Sequence, residues 1–451
     1  MLKCVFLPTA NLPQKTHPEL STRTLLALAV PSALFTILTN GYRVVDQYFI
    51  QTVSTAAQAA IGSSVFVLIL FYAAFELIAA GTGPLVARAT GAGDRPLRRA
   101  ILGTSLAGAI LVTSILMLLG IAGAPLIASS LGLSGDAAAQ CVLYLRTLCW
   151  TILPLALTPV VDQGFIAMGN ARVPMVLHAI SLALNIVLTP LLIHTAGLGI
   201  AGAALASNTS RAVATALGLV MLRRLTGLRF SDIRITPELR RVLRVGYPMA
   251  LGVAAYALVY WAVLKTSVSP LGPHVNAALG IGFNALEGVT WPLFHGLSLA
   301  VASLVGRYLG AGRQDLAKAT IRLALPITLA AGGVSSLVFW LAGPFLTGLF
   351  TNDAAVHAAA SEYAVILAAS QLFVALESLT EGVLAGAGDT RSVFIYSAPV
   401  NALRIPLAWW FAFPLGWGAP GIWWVMNLTT YIKVLGKGYA VWRGKWAEMD
   451  L

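Results

Sequence analysis

The chain has 451 residues, 58% of them hydrophobic and only 10% charged, with a mean hydropathy of +0.82 and a formal net charge of +12. A soluble domain carries about 25% charged residues, so there is too little polar surface to wrap a water-soluble globule of this size. The three cysteines, Cys4, Cys141 and Cys149, form neither a disulfide framework nor a zinc pattern, and the composition describes a protein that crosses a lipid bilayer many times.

Residues 1–23 contain no apolar core followed by a cleavage site and are expected to be a retained cytoplasmic tail. Apolar stretches of about 20 residues, the length that spans a bilayer, then follow near 24–45, 56–82, 100–124, 141–161, 174–194, 199–222, 245–268, 277–303, 320–346, 361–385, 394–415 and 419–442. With the first tail inside, 24 of the 29 Lys and Arg fall on one side, including Lys433, Lys437, Arg443 and Lys445 at the chain's end. That bias predicts a multi-pass cell (inner) membrane protein with both termini cytoplasmic. The basic charge therefore reads as topology, with lipid and not nucleic acid as the partner.

The chain is written twice. VARATGAGDRPLRRA (86–100) aligns with VGRYLGAGRQDLAKA (305–319), and DQGFIAMGNAR (162–172) with EGVLAGAGDTR (381–391), at one offset of 219. GLGIAG (197–202) matches the dinucleotide fingerprint G-x-G-x-x-G, but it sits between apolar runs with no acidic residue some 20 positions on. Its copy is GWGAPG (416–421), and the pair is expected to be two tight external hairpins. The fold class is all-α: twelve transmembrane helices in two pseudo-symmetric six-helix lobes, a parallel repeat with a substrate path between the halves. The expected segments are an N-lobe over 24–222, a cytoplasmic linker over 223–244, a C-lobe over 245–442 and a tail over 443–451. Thr236 ahead of Pro237 predicts that the linker holds a basic amphipathic helix.

The GAGD and GAGR loops, the GNARVP and GAGDTR turns, VPSALFTILTNGYRVVDQYF in span one and NIVL…GLGIAGAALAS in spans five and six together resemble the multidrug and toxic compound extrusion (MATE) family, from about 24 to 442. The resemblance implies a secondary antiporter, here taken as a monomer, that exports small organic, often cationic, compounds against inward H+ or Na+ with no other cofactor. It also places a bend-forming hinge at Pro31 and the coupling acid at Asp46. Asn185 and Ser207 match its polar partners, whereas Thr189 stands where the family has a second acid.

An ionisable side chain in a span is costly and must be partnered or useful. Asp46 is either the cation-coupling group or merely neutralised by Arg43, and Asn185, Thr189 and Ser207 either complete that site, Na+ being its one conceivable metal, or act as packing contacts. Glu76 and its repeat mate His295 could titrate as a pair or each bond its own lobe. Glu76, His295, Glu287 and Glu377 are candidates for the substrate cleft or a second cation site. Glu377 and Glu381 lie four apart and would repel without a proton or cation between them, and Glu381, like its mate Asp162, fits a gating or capping role near a span end. Lys265 and Arg404 are expected to neutralise acids. Tyr256, Tyr260, Trp261 and Trp291 could line the cleft, where aromatic faces hold organic cations, while Trp409–Trp410 and Trp423–Trp424 fit an interfacial belt. The chain has no H-E-x-x-H or G-x-S-x-G, and its six histidines do not cluster in sequence, so it is not read as an enzyme. A flippase for a lipid-linked saccharide, built on the same two-lobe plan, is the alternative.

Overall fold

The computed structural model describes residues 19–50, 53–131 and 133–449. Among them there is no strand, and the helices are α1 (Thr22–Ile50), α2 (Thr55–Gly91), α3 (Arg95–Ser130), α4 (Gly135–Trp150), α5 (Leu153–Ala167), α6 (Arg172–Pro190), α7 (Gly199–Thr226), α8 (Glu238–Val263), α9 (Pro273–Ile281), α10 (Glu287–Gly310), α11 (Gln314–Leu337), α12 (Gly343–Gly348), α13 (Ala354–Ala387), α14 (Thr390–Ala412) and α15 (Gly418–Arg443). Short π-helical turns join α9 to α10 and α11 to α12. With α4 and α5 taken as one bent pair, the described residues thus make twelve helical runs, in the order the repeat predicts. Eight helices are long and apolar enough to cross a membrane, and the bent pair makes a ninth. The remaining runs, α7, α14 and α15, are those whose apolar character is broken by Arg211, Arg404 and the pair Lys433 and Lys437.

Local chemistry sets the helix starts. Asp94 accepts from the Leu97 amide, Asp389 from Ser392 and Asp353 from Ala355 and Val356, each side chain satisfying an amide that a helix start leaves free. The duplicated turns show why glycine recurs. Gly93 and Gly312, Gly169 and Gly388, Gly197 and Gly416, and Gly199 and Gly418 all have positive φ, between +52° and +86°, and every pair is separated by 219 positions. In G-x-G-x-x-G the first two glycines make the turn. The third is a contact point: a Cβ on Gly202 would stand 2.7 Å from the Leu192 carbonyl carbon, and one on Gly421 would stand 2.9 Å from the Phe411 carbonyl oxygen. The expected hairpins are there in both copies.

Two expectations change. Span four is not one straight helix, because α4 and α5 meet at a 51° bend. Pro154, in the first turn of α5, lacks the amide that would continue the ladder, and Asn208 of α7 braces the bend by donating to the Leu148 carbonyl (3.1 Å) and the Thr151 hydroxyl (2.7 Å). The linker over 223–244 holds no separate amphipathic helix. A 3-10 turn over Phe230–Asp232 leads into α8, which runs from Glu238 straight on through span seven. The Thr236 hydroxyl caps nothing; its backbone amide donates to Thr104 (3.1 Å). Asp232 pairs with Arg99 at 3.3 Å.

The helices form two compact units. One comprises the described residues of Phe35–Ala250 and the other those of His17–Leu34 and Leu251–Leu451. In the first, α2 packs on α3, α4 and α5, α5 on α7, and α6 on α7. The core lies among Phe71, Phe75, Tyr144, Leu148, Ile152, Ile193 and Ile200. In the second, α10 packs on α11 and α13, α13 on α15, and α14 on α15, the same pairings shifted by one repeat. Its core includes Val259, Val263, Phe339, Tyr363, Leu367 and Trp423. Trp423 is fully buried against Tyr363, ring centroids 4.9 Å apart, so it is a core residue and not part of an interfacial belt. Helix α1 changes unit between Leu34 and Phe35, one turn beyond Pro31. At its first half Gly296 admits the backbone of Ala33, where a Cβ would collide.

Candidate cation-coupling site

In the first unit the structure brings Asp46, Ser207 and Asn185 together. The Ser207 hydroxyl donates to Asp46 Oδ2 at 2.8 Å and accepts from Asn185 Nδ2 at 3.1 Å. Asn185 and Thr189 are fully buried on α6, four residues apart and therefore on one face. Asp46 Oδ1, Asn185 Oδ1 and Thr189 Oγ1 are buried without a hydrogen-bond partner among the described residues. Oxygen donors of this kind, one ionisable and the others neutral, suit a proton or a hard monovalent cation. No group of three or more His, Cys, Asp or Glu that could hold a metal ion occurs among the described residues. The Arg43 side chain lies outside the described residues.

The neighbour of Asp46 is a cation that sequence reasoning did not weigh. Arg211, one turn after Ser207 on α7, is almost fully buried, and its guanidinium lies 4.0 Å from the centroid of the Tyr42 ring. Tyr42 is one turn before Asp46 on α1. Arg211 interacts electrostatically with Tyr72, Tyr42 and Asp46. Asp162 is not a cap: its Oδ2 is 2.8 Å from His178 Nε2, both side chains being buried. The i, i+4 spacing of Tyr42 with Asp46 and of Ser207 with Arg211 was the signal available in the sequence.

The second unit is wired differently. Glu377 receives Lys433 at 2.9 Å and Lys437 at 3.0 Å, and Lys437 also reaches Glu381 at 2.6 Å. The cation required between the two acids is thus a lysine of α15. Lys433 and Lys437 are buried inside that helix and do not belong with the basic residues at the chain's end. Glu287 accepts from the Tyr363 hydroxyl at 2.7 Å. Arg404 donates from Nε to Thr429 (2.8 Å) and, without an ion pair among the described residues, interacts electrostatically with Glu287. It lines a small pocket with Tyr256 and Tyr260, whose rings stack at 6.4 Å. Lys265 meets no acid among the described residues; it lies 5.1 Å above Trp261, which is exposed. His295 stacks on Trp291 at 4.8 Å. Glu76 is half-buried on α2 in the first unit, without an ion pair among the described residues.

The MatE family model matches residues 31–191 and 248–410, one match in each repeat. The chain belongs to the MATE family. It is 24% identical over 97% of its length to the probable multidrug resistance protein NorM of Thermotoga maritima, 95% of which is covered. It is also 24% identical to the multidrug export protein MepA of Staphylococcus saprophyticus (91% of each chain), and 26% identical to a FAD transporter of Shewanella oneidensis (86% of this chain, 83% of that one). Among solved structures it resembles an outward-facing multidrug resistance MATE transporter of the MOP superfamily, with a TM-score of 0.88, 19% identity and coverage of 95% and 97%. A MOP superfamily transporter from Pyrococcus furiosus, whose reversed pocket polarity is taken to suggest a different function, matches with a TM-score of 0.86, 18% identity and the same coverage. The twelve-run, twice-repeated MATE fold and a multi-pass membrane transporter follow from these matches and the apolar helices.

Proposed function

We propose that this protein exports small organic, often cationic, compounds across the cell (inner) membrane in exchange for inward H+ or Na+, working as a monomer by alternating access with both termini cytoplasmic. The observation that carries the reading is the Asp46–Ser207–Asn185 cluster, with its partnerless oxygens, inside a MATE chain. An incoming cation takes up the charge of Asp46 and so weakens its attraction to Arg211 while changing what Ser207 must donate to. Binding of that ion biases the unit only by its different affinity for the two states. Pro31 lacks the amide that would bond the turn before it, and α1 changes packing partners one turn later, which supports a hinge there. Tyr256, Tyr260, Trp291, Glu287 and Glu377 remain the candidates for contact with substrate, and the names of the multidrug relatives support the substrate class.

The test is efflux of ethidium from reconstituted vesicles under an imposed proton or sodium gradient, with Asp46→Asn beside the wild type. Efflux that follows one gradient and is lost in the variant names the ion and its site. Efflux indifferent to both gradients overturns the antiport reading and favours the flippase alternative. A fully active variant moves the coupling to the second unit's acids.

A further inference from the structure

The first unit contains a polar seam that the Asp46 cluster does not exhaust. Helix α1 contributes Thr39, Tyr42 and Asp46, α6 contributes His178, Ser181, Asn185 and Thr189, α7 contributes Ser207 and Arg211, and α5 contributes Asp162. Successive contacts run along it: Asp46 to Ser207, Tyr42 to Arg211, then Thr39 to His178 to Asp162. The Ser181 hydroxyl adjoins Tyr42.

The hydrogen-bond pattern at His178 assigns a proton. The Thr39 hydroxyl gives its hydrogen to the Phe35 carbonyl at 2.9 Å. With its hydrogen on that carbonyl, the hydroxyl accepts from His178 Nδ1, 3.2 Å away, and in this arrangement Nδ1 carries hydrogen. Nε2 stands 2.8 Å from a carboxylate oxygen of Asp162, which accepts as well. Both ring nitrogens donate only in the imidazolium. The Phe35 ring, its centroid 5.3 Å from that of His178, offers the imidazolium an aromatic neighbour.

Charge counting agrees. The permanently or ordinarily charged groups facing the seam, among the described residues, are Asp46 on α1, Asp162 on α5 and Arg211 on α7; Tyr42 on α1, Tyr72 on α2 and Tyr144 on α4 are titratable neighbours. Among the described residues, two carboxylates against one guanidinium leave a single negative charge, which one proton cancels. The proton has two places to sit: the Asp46 carboxylate, or the imidazole of His178 held by Asp162.

We infer that the His178–Asp162 pair is a second proton-binding site, and that one proton passes between it and Asp46. In the transfer the Asp46 carboxyl becomes a carboxylate and the His178 imidazole becomes an imidazolium; nothing else is consumed, and the seam stays neutral. When the proton leaves His178, Nδ1 or Nε2 loses its hydrogen. A bare Nδ1 draws the Thr39 hydroxyl off the Phe35 carbonyl, linking proton release to α1 one turn from Pro31. The inference rests on Asp46 being the coupling acid.

The experiment is a pH titration of the full-length protein in lipid nanodiscs, with 15N-labelled histidine followed by NMR and the His178 signals identified by difference from His178→Gln and, independently, Asp162→Asn. In the wild type both His178 nitrogens carry hydrogen near neutral pH. Asp46→Asn removes a negative charge, and the pH at which His178 releases its proton falls by about one unit; Arg211→Gln removes a positive charge and raises it by a similar amount. A structural histidine would not answer to the two variants with opposite signs. A single neutral tautomer from neutral pH down to pH 5, or a titration unmoved by both variants, overturns the second site. Loss of ethidium export in Asp46→Asn with an unmoved titration removes this inference and leaves the antiport reading standing; the opposite-sign shifts without gradient-driven export do the reverse.

Discussion

Lys437 joins two carboxylates that are one turn apart on α13: its Nζ lies 3.0 Å from Glu377 Oε1 and 2.6 Å from Glu381 Oε2. The ammonium is 1% exposed, so its charge has no water to turn to. Lys437→Met leaves the acids facing each other and is expected to cost about 3–5 kcal/mol, the usual cost of breaking a buried pair from one side. The double variant Lys437→Met with Glu381→Gln should regain much of that loss, because no unpaired charge remains on the outer acid. Thermal unfolding in detergent reads both, and equal destabilisation by the single and double variants would contradict the pairing.

Asn208 is expected to hold the bend between α4 and α5. Its amide gives the Leu148 carbonyl a second donor beside the Thr151 amide, and gives the Thr151 hydroxyl a donor while that hydroxyl bonds the Thr147 carbonyl; Asn208→Leu removes both cross-helix bonds and costs about 1–3 kcal/mol. Asn208→Asp retains the shape but offers acceptors in place of donors, and should be worse. A melting temperature unchanged in both would show that the bend holds without this side chain.

The glycines of GLGIAG should respond in two ways. At Gly197, φ is +67° and nothing lies within 4 Å of an added Cβ, so Gly197→Ala should cost about 1 kcal/mol through backbone conformation, and Gly197→Asn less. Gly202→Ala places its methyl against the backbone of Leu192, which cannot step aside, and should cost more, about 1–3 kcal/mol. Gly416 and Gly421 should repeat the order. Expression and melting of the four alanine variants check it, and a reversed order in either repeat would count against the shared turn.

Tyr42 offers Arg211 an aromatic face, so the ring matters more than the hydroxyl for holding the guanidinium. Tyr42→Phe is expected to melt close to wild type, whereas Tyr42→Ala loses about 2 kcal/mol. Similar losses in the two variants would instead assign the hydroxyl the main role.

The frame was legible because span length, loop charge and a repeat at a single offset are properties of the chain itself. Turn glycines such as Gly197 and Gly416 declare themselves by position. The Asp46, Asn185 and Ser207 cluster was reachable through family likeness, since those residues match a known arrangement. What stayed hidden depends on partners distant in sequence. His178 lies 16 residues from Asp162 and 139 from Thr39, and nothing in the local pattern says that they meet. Lys433 and Lys437 read as the start of a basic end because they sit close to Arg443 and Lys445, although their i, i+4 spacing mirrors that of Glu377 and Glu381. The bend at Pro154 was concealed by apolar residues that continue on both sides of it.

The network of Glu377, Glu381, Lys433 and Lys437 has two carboxylates and two ammonium groups, and its charges cancel. A membrane potential does work of about 2.3 kcal/mol per 100 mV on each elementary charge carried across it, yet it exerts no net pull on a group of charges that sums to zero and moves together. Electrical work in this protein therefore falls on whatever charge the rest of the molecule carries through the field.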